Sequence, residues 1–195
     1  MDYILYSKRN NEERVQMRLE LGDIVVRTFE HKDAEDIFRI VREKEILRFM
    51  ADWAENGNKI ELLHEYIDYQ QKVQDLTDIN INRRYAIALK DTNEMIGMVG
   101  VGLEDTLNEV EIAYFMSEKY QRRGYTQRAV EALLKWCFEV SDKKYLILTI
   151  DCANTPSCKL AEKCGFQLFE KRTPMNHVQP NMESDSYFYY RYYRK

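Results

Sequence analysis

A short turn that contains two arginines and a glycine, residues 121–126, combines residue types that bind phosphate oxygens. From Gly124 onwards, apolar residues recur at helical spacing. A glycine turn that opens a helix directs unpaired N–H groups and the positive end of the helix dipole at one point, and neighbouring arginines add donors suited to phosphate. The turn therefore predicts an anion site for a phosphorylated cofactor. A solvated basic turn is the alternative interpretation.

The segments on either side must position this turn. Residues 110–116 are apolar and aromatic with a single carboxylate, Glu111, which is typical of a largely buried strand. Residues 145–150 form a continuous apolar run, as expected for a strand covered on both faces. Because a helix separates these two strands, we expect them to be parallel and joined by a right-handed crossover.

The remaining chain predicts one mixed α/β domain. We expect a central sheet of about seven strands, mostly antiparallel with one parallel pair, flanked by about four helices. The other predicted strands cover residues 24–29, 85–89, 95–101, 166–169 and 186–193, and the other helices residues 33–41, 60–73 and 157–164. Residues 1–21 are charged and predict a loosely ordered lead-in, so the domain is assigned to residues 22–195.

Composition and charge limit the classes of function. The chain has 195 residues, 45% hydrophobic and 32% charged, which suits one globular domain with a sizeable core. A net charge of −4 argues against nucleic acid as the main partner. Residues 1–22 contain no apolar core ahead of a cleavage site, and no stretch reaches the ~20 apolar residues of a membrane span. We therefore expect a cytoplasmic protein with no membrane partner.

The four cysteines give no sign of a metal site. They form no CxxC pair and have no histidine at ligand spacing, so we expect no metal. In a cytosolic protein they are expected to be reduced and partly buried. A cysteine nucleophile is disfavoured because all three histidines are remote from the cysteines in sequence.

Three motifs, in the right order, resemble the GCN5-related N-acetyltransferase (GNAT) family. Gln121–Arg122–Arg123–Gly124–Tyr125–Thr126 resembles its Q/R-x-x-G-x-G/A acetyl-CoA motif. Residues 154–157, Asn-Thr-Pro-Ser, followed by Cys-Gly-Phe at 164–166, resemble its N-x-x-S/A … G-F segment. Residues 45–50 and 111–114 are similar to the branch that includes the ribosomal-protein N-terminal acetyltransferases. The order of the predicted elements from residue 24 onwards is also that of the family.

The resemblance implies an N-acetyltransferase that uses acetyl-CoA as co-substrate and acts on a primary amine, either a protein N-terminus or a small amine. Pantetheine would lie in the gap between the strand that ends at residue 116 and the strand that begins at residue 145. A main-chain N–H near Phe115 or Met116 would polarise the thioester carbonyl. The implied cofactor-binding residues are Phe115, Met116, Arg122, Arg123, Gly124, Tyr125, Thr126, Asn154 and Ser157.

Two residues depart from the family pattern. Thr126 stands where the family prefers Gly or Ala, although it is small enough to keep the backbone close to phosphate. Ala161 stands where many members carry a tyrosine that protonates the leaving thiolate, a residue that the ribosomal-protein branch often lacks as well. The proton for the leaving thiolate must then come from another group or from water, and Ser157 is one candidate for this general acid.

Glu111 is the candidate general base. It lies in an otherwise apolar strand near the position expected for the acetyl group, where burial would raise the pKa of its carboxyl towards a useful range. An α-amino group, with a pKa of about 8, needs less help from a base than a lysine or polyamine amine at about 10.4. The alternative is that Glu111 faces solvent or pairs with an arginine.

Trp53 and Tyr114 are the predicted acceptor-binding residues. Trp53 lies between Asp52 and Glu55, in the loop that covers the acceptor site in this family, and acidic groups there would suit a cationic amine. An ordinary charged loop with Trp53 in the core is the alternative. The tyrosine-rich segment 186–193 predicts a wide strand rather than a base-stacking surface, and it offers an edge for a homodimer.

Two functional classes remain on sequence alone. The first is an acetyl-CoA-dependent N-acetyltransferase. The second is a non-catalytic module that binds acyl-CoA or a partner protein, which the alanine at position 161 leaves open. Turnover with any amine separates the two classes, whereas cofactor binding does not.

Overall fold

A mixed sheet of nine strands is the framework of the computed structural model, which describes residues 4–9, 12–72, 77–173 and 184–194. Within these residues the strand order is β1-β2-β3-β4-β5-β6-β7-β9-β8. The strands are β1 (Ile4–Arg9), β2 (Glu12–Leu21), β3 (Ile24–Arg27), β4 (Arg83–Leu89), β5 (Met95–Glu104), β6 (Glu109–Met116), β7 (Tyr145–Asp151), β8 (Gln167–Arg172) and β9 (Tyr187–Tyr193).

Helices cover both faces of this sheet. They are α1 (Asp33–Ile40), α2 (Lys44–Phe49), α3 (Ala51–Asn56), α4 (Ile60–Lys72), α5 (Tyr125–Val140) and α6 (Thr155–Lys163), with a 3₁₀ turn at Glu118–Tyr120. One core cluster joins the sheet to α5 and α6, with Leu133 and Trp136 among its buried residues. A second cluster joins the other face to α1, α2 and α4, with Ile37 and Ile67 among its buried residues. The apolar stripes that predicted α1, α4 and α5 are the stripes that face the sheet.

The predicted mixture of one parallel pair with antiparallel strands is confirmed. β6 and β7 run parallel, and the other neighbouring strands run antiparallel. The crossover between the parallel strands is α5, as the sequence predicted. The counts of about seven strands and four helices are low, because two N-terminal strands and the short helices α2 and α3 were not counted.

The prediction of a loosely ordered lead-in over residues 1–21 is wrong for residues 4–9 and 12–21, which form β1 and β2. β2 pairs antiparallel with β3, so it belongs to the same sheet as the rest of the domain. Met17 and Leu19 of β2 are buried in the larger core cluster. The charged residues beside them, Arg18 and Glu20, hid a period-two alternation, the pattern of a half-buried strand.

The C-terminal strand is not an edge of the sheet, so the predicted self-association edge at residues 186–193 is also wrong. β9 lies between β7 and β8 and pairs with both. Tyr189 and Tyr190, on its two faces, are both buried. The aromatic segment thus serves as an interior strand, which agrees with the wide-strand interpretation.

Two kinds of feature are missing from the described residues. No helix there has the length and apolar character needed to cross a membrane. No group of three or more His, Cys, Asp or Glu side chains within them is arranged to hold a metal ion.

Candidate active site

The candidate site is a cleft of about 420 Å³ at the end of β6. Among the described residues, β6 and β7 share a single register pair, Glu111 with Ile147, and the two strands diverge beyond it. Residues 114–116 at the end of β6 line the cleft. The turn before α5, the beginning of α6 and one side of α2 form its walls. The cleft therefore opens where strand pairing stops.

The turn before α5 presents its backbone to the cleft. Arg122 and Gly124 both adopt left-handed conformations, with φ of 62° and 75°. Gly124 is the N-cap of α5 and supplies no side-chain hydrogen bond to the first turn of this helix of 16 residues. A Cβ atom placed on Gly124 would meet no atom within 4 Å, so the space above its backbone is open. This geometry leaves helix N–H groups accessible to an anion.

The predicted residues of this turn take different positions. Arg122, Gly124 and Thr126 line the cleft. Tyr125 also reaches it, but most of its side chain is buried in the core beneath α5. Arg123 is not among the lining residues, and its guanidinium stacks over the ring of Tyr120 at 5.5 Å. Arg122 is therefore the better candidate for contact with phosphate.

The beginning of α6 forms the opposite wall. Asn154 is the N-cap, and its Oδ1 accepts a hydrogen bond from the Ser157 N–H at 3.2 Å. Ser157 Oγ in turn lies 2.8 Å from the hydroxyl oxygen of Tyr114 on β6. Burial raises the pKa of Tyr114 far above its usual value, so this hydroxyl stays protonated at physiological pH. The cleft is thus lined by two coupled neutral hydroxyls.

Glu111 lies behind the cleft, on the face of β6 opposite to Tyr114. It is half-buried, and Oε1 accepts a hydrogen bond from the Thr149 N–H at 2.9 Å and another from the Thr149 hydroxyl. Burial raises the pKa of this carboxyl, and the two bonds from Thr149 only partly offset that effect. Its hydrogen-bond partners belong to β7 and not to an arginine.

Trp53 packs beside the site rather than lining the cleft. Its ring meets the ring of Phe115 edge-on, with the centroids 5.2 Å apart, and it makes a similar contact with Tyr66 at 5.7 Å. Phe115 itself is buried and lines the cleft. These contacts match the alternative in which Trp53 belongs to the core, although a change at Trp53 would reach the cleft through Phe115.

The sequence prediction missed two parts of the wall. One is α2 together with the residue that follows it, from which Ile46, Phe49 and Met50 face the cleft. The other is the pair Lys159 and Lys163 on α6, which adds positive charge to the same wall. The lysines are four residues apart and follow Asn154 on one helix, so helical spacing was an available signal. No comparable pattern in the sequence indicated that α2 would lie beside the cleft.

The chain matches the family model described as "Acetyltransferase (GNAT) domain" over residues 23–167. It therefore belongs to the GNAT family of acetyltransferases, which uses acetyl-CoA, and it is an acyltransferase.

One relative is the "Uncharacterized N-acetyltransferase p20" of Bacillus licheniformis. It is 26% identical over 145 residues, which cover 74% of this chain and 79% of that protein. Another is the "Uncharacterized N-acetyltransferase YnaD" of Bacillus subtilis, which is 21% identical over 89% of this chain and 95% of that protein.

Solved structures share the fold. The ribosomal-protein-S5-alanine acetyltransferase of Vibrio fischeri superposes with a TM-score of 0.74 at 16% identity, over 91% of this chain and 96% of that one. The microcin C7 self-immunity acetyltransferase MccE, solved in complex with acetyl-CoA and AMP, gives a TM-score of 0.72 at 18% identity, over 89% and 94% of the two chains. The ribosomal-protein acetyltransferases named by the sequence resemblance are thus among the structural neighbours.

Substitution of Gly124 tests the turn. We expect Gly124→Ala to lower the free energy of unfolding by about 1 kcal/mol, because a Cβ is unfavourable at its positive φ. We also expect weaker binding of CoA, since the methyl group would occupy the open space above the turn. Thermal unfolding and calorimetric titration with CoA measure the two effects. Gly165→Ala, at φ 93° and outside the cleft, is the control and should lose stability without losing affinity.

Substitution of Arg122 by glycine separates the effect of its left-handed backbone on stability from the effect of its guanidinium on binding. Arg122→Gly should leave the melting temperature within about 2 °C of the wild type, because relief of the left-handed strain offsets the added freedom of the unfolded chain. Loss of the guanidinium should weaken CoA binding by about three- to tenfold. Arg123→Ala should have a smaller effect on affinity. A reversed order of the two variants would contradict the assignment of Arg122.

Proposed function

We propose that this acyltransferase moves an acetyl group from acetyl-CoA to a primary amine by direct attack of the amine on the thioester. One observation carries the proposal. An exposed helix N-terminus and a length of strand backbone beyond the last β6–β7 pair meet at the end of β6, and a half-buried carboxylate, Glu111, lies at that last pair on the other face of the same strand. These are the groups that bind phosphate, extend along pantetheine and remove a proton from an amine.

The residues around the cleft fit acetyl-CoA. Arg122, Lys159 and Lys163 supply positive charge, and the Gly124 turn supplies backbone donors for phosphate oxygens. Phe49 and Met50 give the wall an apolar part against which a pantetheine arm can pack. Acetyl-CoA, when bound, supplies the activated acetyl group.

Met116 is the better of the two predicted backbone donors. The Ser117 N–H donates to the Ile96 carbonyl oxygen of β5 at 2.9 Å. Since successive N–H groups of a strand point in opposite directions, the N–H of Phe115 also faces β5 and that of Met116 faces the side from which β7 has diverged. We assign to the Met116 N–H the task of polarising the acetyl carbonyl.

Glu111 takes the proton from the acceptor amine in this proposal, directly or through a water molecule. Its raised pKa makes the carboxylate a stronger base than an exposed glutamate. The bonds from Thr149 hold Oε1 and leave the second oxygen, Oε2, for the proton. An arginine counter-ion would have weakened this basicity.

The Ser157 hydroxyl supplies the proton for the leaving group. Ala161, fully buried on α6, has no acidic side chain, whereas Ser157 on the same helix has a hydroxyl that is paired with the hydroxyl of Tyr114. With the Tyr114 hydroxyl 2.8 Å away, the proton that Ser157 Oγ gives up can be replaced from Tyr114, which in turn takes up a proton from solvent after the thiol leaves. The assignment gives Tyr114 a role in proton supply in addition to the predicted contact with the acceptor.

The acceptor is a protein N-terminus or a small amine. The likeness of the fold to a ribosomal-protein acetyltransferase supports the first, and the exposed acidic residues Asp52 and Glu55 beside Trp53 suit either as a cation. A carboxylate base is better matched to an α-amino group, with a pKa of about 8, than to an amine at about 10.4.

Release of thiol from acetyl-CoA, measured against a panel of amines, tests the activity. The panel contains N-terminal peptides, spermidine, an aminoglycoside and free amino acids. We expect turnover with one class, and with peptides in preference to spermidine near neutral pH, because more of an α-amino group is unprotonated there. Tight binding of acetyl-CoA with no release from any amine would instead favour the non-catalytic module.

Glu111→Gln tests the base. We expect a loss of turnover on the order of 100-fold or more, the usual contribution of general base catalysis, and loss of the pH dependence that the carboxylate imposes on the wild type. Turnover of the wild type should rise with pH through the raised pKa, since the charged form is the active one. Unchanged turnover across this pH range would remove Glu111 from the mechanism.

The stability of the same variant gives an independent measurement. A carboxyl whose pKa is raised by folding stabilises the folded state most at low pH and loses that contribution as the pH rises through the folded-state value. Glu111→Gln should therefore raise the melting temperature by about 2–4 °C at neutral pH, an order-of-magnitude figure that corresponds to ~1 kcal/mol. The difference in melting temperature between the variant and the wild type should disappear towards pH 4, because the folded wild type then has an uncharged carboxyl at position 111, as uncharged as the glutamine.

A further inference from the structure

Helix α2 and the 3₁₀ turn that follows β6 cap each other with glutamates. Glu43, the residue before α2, accepts at Oε2 a hydrogen bond from the Glu118 N–H at 2.6 Å. Glu118, the first residue of the 3₁₀ turn, accepts at Oε1 a hydrogen bond from the Glu45 N–H of α2 at 3.0 Å. Neither element is capped by the side chain of its own N-cap residue. Each helical start therefore depends on the other segment for its cap.

A third hydrogen bond ties this pair to the sheet. The Ser117 hydroxyl donates to Glu43 Oε1 at 2.7 Å, so both carboxylate oxygens of Glu43 are occupied. Ser117 is fully buried and its N–H is bonded to the Ile96 carbonyl of β5. The Glu43 side chain is only 19% exposed. We call Glu43, Ser117 and Glu118 the carboxylate clasp.

The two segments joined by the clasp are two walls of the cleft. α2 contributes Ile46 and Phe49, and the turn after the clasp contributes Tyr120 and Arg122. α2 has only six residues, too few for a stable helix without tertiary contacts. Its distance from the turn before α5 therefore depends on the bonds that hold its first turn.

We propose that Glu43 and Glu118 are positioning residues that hold the α2 wall against the anion-binding turn and so preorganise the cleft for CoA. This inference rests on the proposed function, because it takes CoA as the occupant of the cleft. A ligand that binds one arrangement of the walls loses apparent affinity in proportion to the fraction of molecules in that arrangement. Loss of the clasp lowers that fraction while leaving each phosphate contact intact.

If the two glutamates acted through their charge alone, their removal would have the opposite effect on CoA affinity. Two carboxylates close to an anion site repel phosphate, so their removal would strengthen binding if they acted only through their field. The clasp depends instead on hydrogen-bond geometry, which glutamine can partly reproduce. Gln Oε1 would accept from the Glu118 N–H, and its Nε2 would donate to Ser117 Oγ, which has lone pairs available.

The experiment is calorimetric titration of the full chain with CoA, which needs no knowledge of the acceptor. We expect about tenfold weaker binding for Glu43→Ala, the loss that follows if one molecule in ten keeps the competent arrangement. Glu43→Gln should stay within about threefold of the wild type. The CoA affinity of Glu118→Ala should fall between those of the two Glu43 variants, because this exposed side chain accepts only one hydrogen bond of the clasp. This variant also keeps the test available if Glu43→Ala does not fold.

Glu109→Ala is the matched control. Glu109 on β6 also joins separate strands through a carboxylate, since it accepts hydrogen bonds from the Tyr145 and Tyr189 hydroxyls at 2.6 and 2.7 Å, but it does not line the cleft. It should lose stability in thermal unfolding and keep its affinity for CoA. Tighter binding by both Glu43 variants, or equal binding by Glu43→Ala, Glu118→Ala and the wild type, would overturn the positioning role alone. A wild type that does not bind CoA would overturn the proposed function as well.

Discussion

Backbone groups in a sheet need partners, and the site depends on the one place where β6 loses its partner strand. Beyond the pair formed by Glu111 and Ile147, β7 no longer follows β6. The N–H groups that face this gap can bond to a ligand as they would to an added strand. α5 and α6 begin beside the same gap, so that two helix N-termini and the open strand share one cleft. The loss of strand pairing thus decides where the cleft opens and which groups line it.

Charge is distributed unevenly around this gap. Basic groups and exposed helix N–H groups line the cleft, whereas Glu111 lies behind the strand, desolvated and held by Thr149. The basic groups and the buried carboxylate therefore lie on opposite sides of β6. The separation also keeps the carboxylate from being neutralised by the arginines of the turn. Different polar environments on the two faces of β6 produce this arrangement.

The departure from the family pattern at Ala161 has a structural counterpart on the neighbouring strand. The hydroxyl missing from α6 is matched by Tyr114 of β6, whose side chain reaches Ser157 across the cleft. A tyrosine at position 114 can serve the same region because β6 and α6 lie on either side of the gap. The cleft therefore carries hydroxyls on β6 and at the beginning of α6, although position 161 has none.

The sequence alone determined the elements whose signals are local. Gly124 and the arginines before it predicted the turn, and the apolar periodicity after it predicted α5, because backbone freedom and helical spacing act over a few residues. The alternation in β2 was also present but was obscured by its charges. The tertiary structure alone decided the relations between distant segments. The bond between Ser117 and Glu43 spans 74 residues, and the contact of Thr149 with Glu111 spans 38. Such pairs leave no periodic signal in the chain, because they arise only when packing brings the two segments together.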